Sequence, residues 1–420
     1  MILRKELNNI SLLTRSWKSI YSSKEKFKRH SSKGSDGISI QDFKDNDRTY
    51  LLMLQKELKK NKYHNSALKG IPIKKSEPEK YRLIAVSNIK DRIVHKALLG
   101  ILNPIVFPFI DNGVSYCGVK KNIWAGSTNE ALTTKKAFEK VLEHVRNKKF
   151  YVFKADIKGF YDHVPKRMFF NILKKLIPDN SLIPIIKEII YFKLSNPEEF
   201  DGKKASLLPK KYVGISQGSA LSQFFANIYL ADFDIKMKKK YGDRFIRYVD
   251  DFIIFFDTKE EAKKAKKYAI RALKVKKLEL SSDPNKTKTI SIKNDYVEFL
   301  GIRIDQNKLS YKKSRAETQK VIKEILDEHN QDLYRRYKNT ADIINSMNNK
   351  IKGRGDYLHF YHTEDTYEEI NKWIQIKRKQ KKFKNLQLLN PKKITPIIKK
   401  KNGNHYLNRM IHSYIFLRSC

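Results

Sequence analysis

The chain has 420 residues, of which 40% are hydrophobic, so it can bury a sizeable core and should hold more than one domain. Its 88 lysines and arginines outnumber 45 aspartates and glutamates, and the formal charge of +43 destabilises a compact state unless polyanions or counterions screen it. An AT-rich genome would raise the number of lysines relative to arginines, but it would not explain why acidic residues are so outnumbered. The charge balance therefore favours a nucleic-acid partner.

Residues 1–150 are predicted to combine helices with one short hairpin. Residues 51–62 carry apolar side chains at helical spacing, and residues 71–86 have the hairpin pattern. The longest apolar stretch, 98–110, contains two prolines and is too short to span a bilayer. No secretion signal follows residues 1–6, and the two cysteines have neither disulfide-framework nor metal-ligand spacing. We therefore expect a cytoplasmic protein without a membrane partner.

Residues 151–305 alternate apolar strand patterns with helical patterns at 166–175 and 222–238, which predicts an α+β domain. Residues 314–380 have a helical pattern throughout. No acidic residue follows Glu369, so residues 381–420 are predicted to form a basic appendix and not a further enzymatic domain.

Two adjacent carboxylates, Asp250 and Asp251, interrupt the apolar run 245–256. Aspartate is depleted in strands, so the run predicts two short strands that turn back at the aspartates. Neighbouring carboxylates repel unless a cation neutralises them, and a hard divalent ion is the usual solution. An ordinary Asp-Asp turn is the simpler alternative. A third carboxylate, Asp156, ends another strand-like run, and three such groups can hold two magnesium ions for phosphoryl transfer.

The order of these residues resembles the reverse transcriptases. Asp156 with an aromatic five residues later, then residues 214–223, then the Tyr-x-Asp-Asp box at 248–251 are similar to motifs A, B and C of that family. Such an ordered set is far more specific than a lone Tyr-x-Asp-Asp. Other segments resemble the remaining motifs in the same order: the N-terminal extension at 35–39, finger motifs at 71–75, 81–84 and 91–98, motif D at 284–287 and motif E at 299–301.

The resemblance implies an α+β fold with the right-hand architecture of a polymerase. Its parts are expected at 1–150 for the N-terminal extension and fingers, 151–305 for the palm, 306–380 for a helical thumb that grips the duplex, and 381–420 for the basic C-terminal segment.

The implied activity is RNA-directed DNA polymerisation with two Mg²⁺ ions, Mn²⁺ being the alternative. By this resemblance Asp156 and Asp250 bridge both ions, Asp251 completes the shell, and Ile157 belongs to the metal-binding set. Carboxylates suit this role because hard cations beside a triphosphate need negatively charged oxygen ligands.

Besides Tyr161, five residues are expected to contact the incoming nucleotide. Lys74 and Arg82 would neutralise the triphosphate, with arginine suited to bidentate phosphate contact. Gln217 would lie against the sugar and the templating base, and Gly218 would permit close backbone approach. Lys286, at the motif D position, would protonate the departing pyrophosphate. Ordinary surface charges or plain turns are the alternatives for each.

Tyr161 occupies the position that in this family stacks under the deoxyribose and excludes a 2′-hydroxyl, which predicts DNA synthesis. The alternative is that Phe160 and Tyr161 are two core aromatics, and we assign the core role to Phe160. The primer grip is expected at Phe299, Leu300 and Gly301.

The subclass depends on further resemblances. The sequence contains neither a zinc module nor a second group of carboxylates that would indicate an RNase H, integrase or endonuclease. The retron hallmarks are also missing. Ser222 and Gln223 look like the diversity-generating retroelements, whereas Gln217 and Gly218 keep the form of group II intron enzymes. The combination most resembles the bacterial defence-associated reverse transcriptases. A diversity-generating retroelement or retron-type enzyme is the alternative within the family.

The expected partners are an RNA template, which we take to be a dedicated structured non-coding RNA, a DNA product or primer, and dNTPs. A homo-oligomer or a partner protein stays open. Two other function classes also stay open. One is an RNA-binding scaffold without catalysis. The other is a template-independent or protein-primed nucleotidyltransferase with a hydroxyl such as that of Tyr406 or Tyr414 as primer.

Overall fold

The computed structural model describes residues 2–23, 28–31, 33–74, 81–111, 113–117, 123–124, 134–306, 309–311 and 375. The chain forms two compact units. The first comprises Met1–Leu300 with Ile304–Asn307, and the second comprises Gly301–Arg303 with Lys308–Cys420. The expected thumb, the basic C-terminal segment, Tyr406 and Tyr414 lie almost entirely outside the described residues.

The N-terminal part of the first unit is mainly helical and contains one hairpin, as the sequence predicted. The apolar spacing at 51–62 corresponds to the fifth helix, and the strand pattern at 71–86 to an antiparallel pair in the register Lys74↔Tyr81. The elements are α1 Ile2–Leu7, α2 Ile10–Ser22, α3 Lys28–Ser31, α4 Ile40–Asp45, α5 Asp47–Lys59, β1 Lys69–Lys74, β2 Tyr81–Val86, α6 Ile89–Ile110 and α7 Thr134–Arg146.

Helix α6 corrects the expectation drawn from the apolar stretch 98–110. The helix begins at Ile89 and continues through Pro104 and Pro108, so it has 22 residues and is long and apolar enough, by length and composition, to cross a membrane. This is weak evidence for a membrane, because a core helix passes the same test. α6 packs against α1, α2 and α5, and Val94 and Leu98 are fully buried.

The second half of the first unit is built on a four-stranded antiparallel sheet in the order β4-β5-β3-β6. Tyr, Val and Phe at the start of β3 favour a strand. A capping box between Thr258 and Glu261 begins α12, whose small residues face the sheet. The elements are β3 Tyr151–Asp156, α8 Phe160–His163, α9 Lys166–Leu176, α10 Ile183–Ile190, α11 Ser222–Tyr241, β4 Phe245–Tyr248, β5 Asp251–Phe256, α12 Lys259–Val275 and β6 Lys288–Ser291.

This mixture of helices and an antiparallel sheet confirms the predicted α+β fold. Short 3₁₀ turns occupy Pro197–Glu199, Gly202–Leu207 and Gly242–Arg244. Three further strands follow in the chain, β7 Val297–Phe299, β8 Ile302–Ile304 and β9 Leu309–Tyr311. The aromatic core under the sheet includes Phe153, Phe233, Phe245 and Phe252, all buried and in edge-on contact.

Candidate active site

The two adjacent aspartates lie at the tip of the β4–β5 hairpin, as the sequence predicted. Tyr248 pairs with Asp251, so Val249 and Asp250 form a two-residue turn. Val249 has a φ of 57°, a left-handed conformation that is strained for a β-branched residue. The surrounding structure must therefore hold this turn in place.

Arg247 supplies that support from below the turn. Its Nη1 donates to the carbonyl oxygen of Val249 at 2.7 Å, and its Nε donates to Asp234 Oδ1 on α11 at 2.6 Å. Nη2 donates to Asn227 Oδ1 at 3.2 Å. Burial alone would lower the pKa of Arg247, but the Asp234 carboxylate outweighs it and raises the pKa. The guanidinium stays charged and positions the hairpin tip.

Strand pairing brings the third carboxylate to the same edge. Asp156, the last residue of β3, is the cross-strand partner of Asp251, the first residue of β5. The backbone amide of Ile157 donates to the carbonyl oxygen of Asp250 at 2.9 Å. Asp156, Asp250 and Asp251 therefore lie together at one end of the sheet.

The protonation of these carboxylates reflects their crowding. Burial, followed by the Asp156 charge, raises the pKa of Asp250 to about 6. Burial raises the pKa of Asp251 to about 7, with Asp156 and Asp250 adding to the rise and Lys154 opposing it. Burial and the neighbouring carboxylates therefore disfavour the ionised forms of Asp250 and Asp251 more than Lys154 favours them.

The donor set fits a divalent metal ion, and one atom marks the need for it. Oδ1 of Asp251 is buried, and the polar group described beside it is Lys154 Nζ at 3.0 Å, a monovalent cation where a divalent ion would bind. Among the described residues, however, no three His, Cys, Asp or Glu side chains converge closely enough to hold an ion. The carboxylates share an edge, but Asp251 is engaged with a lysine.

A family model described as "Reverse transcriptase (RNA-dependent DNA polymerase)" matches residues 73–304, more than half of the chain. This chain belongs to the reverse transcriptase family. The match includes β3, the β4–β5 hairpin and the loop before α11, so it spans the three carboxylates. Their assignment to motifs A and C stays a prediction.

The relatives of this reverse transcriptase are distant. The "Putative COX1/OXI3 intron 2 protein" of Saccharomyces cerevisiae is 24% identical over 220 residues, which cover 52% of this chain and 23% of that protein. Among solved structures, the "Partial Cas6-RT-Cas1--Cas2 complex" is 23% identical with a TM-score of 0.30, covering 55% of this chain and 37% of that one. The telomerase of Candida albicans, solved with a fragment of telomeric RNA, is 12% identical with a TM-score of 0.42, covering 81% and 65%.

Tyr161 lies on α8, within electrostatic range of Asp250. Burial, followed by the Asp250 charge, raises the pKa of its hydroxyl above the ordinary value. Phe160 is 1% exposed and packs in the core, as expected, whereas Tyr161 is half-buried. The placement of Tyr161 near Asp250 is compatible with a sugar gate, and that role stays a prediction.

The loop that carries Gln217 and Gly218 is fixed to the fingers. The Ala85 amide of β2 donates to the Gln217 carbonyl oxygen at 3.1 Å. Gly218 has a φ of 110°, and a Cβ there would come within 3.0 Å of the Ala85 carbonyl oxygen. Gly218 does allow close backbone approach, but the described neighbour is a finger strand. Nucleotide contact by Gln217, which is half-buried, stays a prediction.

The two finger cations are not side by side. Lys74 pairs with Tyr81 and Arg82 pairs with Ile73, so alternation sends Lys74 and Arg82 to opposite faces of the hairpin. Both side chains are exposed. The structure thus separates two residues that the sequence analysis assigned to one triphosphate, and each assignment stays a prediction.

The residues predicted for motifs D and E lie in the part of the chain that follows α12. The Lys286 amide donates to the Asp283 carbonyl oxygen at 2.9 Å, and the side chain is half-buried. The next residue, Thr287, accepts a 3.4 Å hydrogen bond from the Asp156 amide, which ties this loop to motif A. Phe299 is buried at the end of β7, and Leu300 and Gly301 follow with φ of 52° and 81°.

Arg247 and Lys154 are two functional candidates that the sequence pattern did not reveal. Each is a charged residue between apolar neighbours in a strand. A buried charge needs a partner, so each was a signal for an ion pair. The sequence alone did not identify Asp234 and Asp251 as the partners.

Proposed function

We propose that this protein is an RNA-directed DNA polymerase that copies an RNA template into cDNA. The observation that carries the proposal is the β3–β5 register, which brings Asp156 opposite Asp251 at the sheet edge that also carries Asp250, within the residues that the family model matches. Asp156, Asp250 and Asp251 would hold two Mg²⁺ ions, or Mn²⁺. When bound, the ions neutralise the triphosphate and stabilise the attacking and leaving oxygens of phosphoryl transfer.

The other residues would bind and orient the substrates. Arg82 would contact the triphosphate from the fingers. Tyr161 would pack under the sugar and exclude a 2′-hydroxyl. Arg247 would keep the motif C turn in one geometry, since a misplacement of about 1 Å can lower the rate about a hundredfold.

Primer extension tests the proposal. Purified protein is incubated with Mg²⁺, dNTPs and a labelled DNA primer on an RNA template, with Asp250→Asn as the inactive control. We expect extension by the wild type alone. Failure of the wild type on every template would favour the RNA-binding scaffold. Label that stays on the protein after nuclease treatment would favour protein-primed synthesis.

We also propose that the template is defined by a dedicated structured RNA. The charge of +43 supports nucleic-acid binding without sequence choice. RNA shape would supply that choice. The acid-free segment after Glu369, which lies outside the described residues apart from Gln375, is one expected contact region.

Helix α12 offers a second contact region, which the structure does describe. Its buried face consists of Ala262, Ala265, Ala269 and Leu273. We define the α12 basic face as the exposed residues Lys263, Lys264, Lys266, Lys267, Arg271 and Lys274. Like charges at i,i+4 destabilise a helix, so a polyanion bound here would relieve that repulsion.

The cationic surface continues onto α11. Lys240 lies 4.0 Å from the ring centroid of Tyr268 on α12, and Lys236, Lys238 and Lys239 are exposed nearby on α11. An aromatic ring among lysines suits base stacking beside phosphate contacts. This arrangement supports RNA as the partner of the α12 basic face.

A role in bacterial antiviral defence and a cytoplasmic location complete the proposal. The defence role is supported by the combination of Ser222 and Gln223 with Gln217 and Gly218, which most resembles the defence-associated enzymes. The cytoplasmic location is supported by two cysteines without disulfide-framework spacing. Sequencing the RNA that copurifies from cells tests the first part. We expect a single enriched transcript, and a random sample of transcripts would contradict the dedicated RNA. For the defence role, we expect Asp250→Asn to lose protection against phage.

A further inference from the structure

Lys154 is a buried charged residue in the middle of a strand whose neighbouring residues are apolar. It is in β3, an inner strand of the sheet, between Phe153 and Ala155, which are fully buried, and it is itself only 6% exposed. Burying an ammonium group is costly unless a group of opposite charge compensates it. Lys154 therefore depends on a carboxylate.

Strand register determines which carboxylate this is. Side chains alternate along a strand, so Lys154 and Asp156 share one face of β3, and Asp251 is the cross-strand partner of Asp156. Asp251 is thus the diagonal neighbour of Lys154 on that face, and Nζ lies 3.0 Å from Oδ1. On its other side Lys154 pairs with Lys288, a second cation.

The other buried cation near the carboxylates already has a partner. Arg247 is bonded through Nε and Nη2 to Asp234, and its Nη1 donates to the carbonyl oxygen of Val249. Among the described contacts, Lys154 is the buried cation that lies against one of the three aspartates, through Nζ and Asp251 Oδ1.

We propose that Lys154 is a resident counter-ion, which engages Asp251 in the metal-free enzyme and must release it before the carboxylates bind divalent cations. The proposal rests on the magnesium site of the proposed function. It accounts for three carboxylates that share an edge without converging on one point. Lys154 is then a positioning residue that sets the metal concentration at which the site fills.

Metal binding to purified protein tests this without any assay of polymerisation. Mn²⁺ binding is measured by electron paramagnetic resonance and by the rise in melting temperature, at about pH 8.5 so that carboxylates of raised pKa are ionised. The variants are Lys154→Met, Lys154→Arg and the control Lys288→Met. Lys288 is the strand partner of Lys154, but its Nζ donates to the Tyr296 carbonyl oxygen and it makes no ion pair with the three aspartates among the described contacts.

We expect Lys154→Met to lower the half-saturating Mn²⁺ concentration about tenfold or more, because a unit charge at about 4 Å contributes more than the energy of one decade. Its metal-free melting temperature should fall and its metal-induced rise should exceed that of the wild type. Lys154→Arg, which keeps the charge, and Lys288→Met should stay within about twofold of the wild type.

Each outcome has one meaning. Equal half-saturating Mn²⁺ concentrations in the wild type and Lys154→Met would overturn the counter-ion role. Weaker Mn²⁺ binding by Lys154→Met would overturn it as well, because it would mean that Lys154 holds Asp251 in place for the metal. A wild type without an Asp250-dependent Mn²⁺ response would instead refute the metal site. If Lys154→Met does not fold, Lys154→Gln removes the charge but keeps a donor for Asp251, and the same direction is expected.

Discussion

Arg247 Nη1 donates a 2.7 Å hydrogen bond to the carbonyl oxygen of Val249, so a fully buried guanidinium holds the strained residue that precedes the motif C aspartates. The same side chain is bonded to Asp234 on α11. The position of the catalytic turn is therefore coupled to a helix in the core and not only to its own hairpin.

Replacing Arg247 with Met should destabilise the protein by about 3–5 kcal/mol, because it leaves Asp234 buried without a partner. The free energy of unfolding in urea checks this. Arg244→Met is the matched control, since Arg244 is half-buried and makes only a 3.3 Å hydrogen bond to the Tyr241 carbonyl oxygen and a ring contact with Phe256. A loss for Arg247→Met no larger than that of the control would show that the buried pair contributes little.

Asp250→Asn and Asp251→Asn should each lower primer extension about a thousandfold or more, since metal-assisted charge stabilisation supplies several kcal/mol of the barrier reduction. Asp250→Asn should fold and bind RNA, because the substitution removes a charge that burial disfavours. Asp251→Asn removes such a charge as well but leaves Lys154 without its carboxylate, so we expect it to fold with a lower melting temperature than Asp250→Asn. Near-normal extension in Mg²⁺ by either variant would refute the active-site assignment. Circular dichroism and RNA binding serve as the folding controls.

The raised pKa values also predict a pH dependence. The folded pKa of Asp251 is about 7, above its unfolded value, so the folded state binds more protons between about pH 4 and 7 and loses stability as pH rises through that window. The melting temperature of Asp251→Asn minus that of the metal-free wild type should therefore increase from about pH 5 to 8. Mg²⁺ should reduce the difference at the high end. A difference independent of pH would mean that Asp251 is ionised throughout.

Tyr161→Ala should raise ribonucleotide incorporation relative to deoxyribonucleotide, because it opens space beside the 2′ carbon. The ratio of kcat/KM for matched rNTP and dNTP measures this. Phe160→Ala is the contrasting variant, since Phe160 is 1% exposed and its loss should cost about 3–5 kcal/mol of stability. Loss of activity by Tyr161→Ala without a change in the ratio would assign it to the core as well.

The sequence was sufficient for features that depend on local pattern. Apolar runs located β3 and the β4–β5 hairpin, and the adjacency of Asp250 and Asp251 indicated the turn. Features that depend on strand register or on tertiary contact could not be predicted from the sequence. The Lys154–Asp251 pair follows from the alignment of β3 with β5, and the contact of Gly218 with Ala85 follows from the packing of its loop against β2. The length of helix α6 was missed because the apolar stretch was taken to begin at Leu98, whereas the helix begins at Ile89 and buried packing maintains it through Pro104 and Pro108.

The last prediction concerns the α12 basic face. Changing Lys263, Lys267 and Arg271 together to Gln should weaken RNA binding and reduce the slope of log affinity against log salt by about 2–3, because each lost phosphate contact removes about 0.7–0.9. The matched control changes Lys56, Lys59 and Lys60, three exposed lysines at the end of α5 and just after it, to Gln.

Both triple variants lose three charges, so a general electrostatic effect would lower the slope equally in each. We expect the α12 variant alone to lose affinity for the copurifying RNA while extending a short primer on a generic template at the wild-type rate, since α12 contacts the sheet through its alanine face and supplies none of the three aspartates. Equal slopes in the two variants would show that RNA does not select this face. Loss of primer extension in the α12 variant would show instead that α12 supports the palm sheet and not a separate contact.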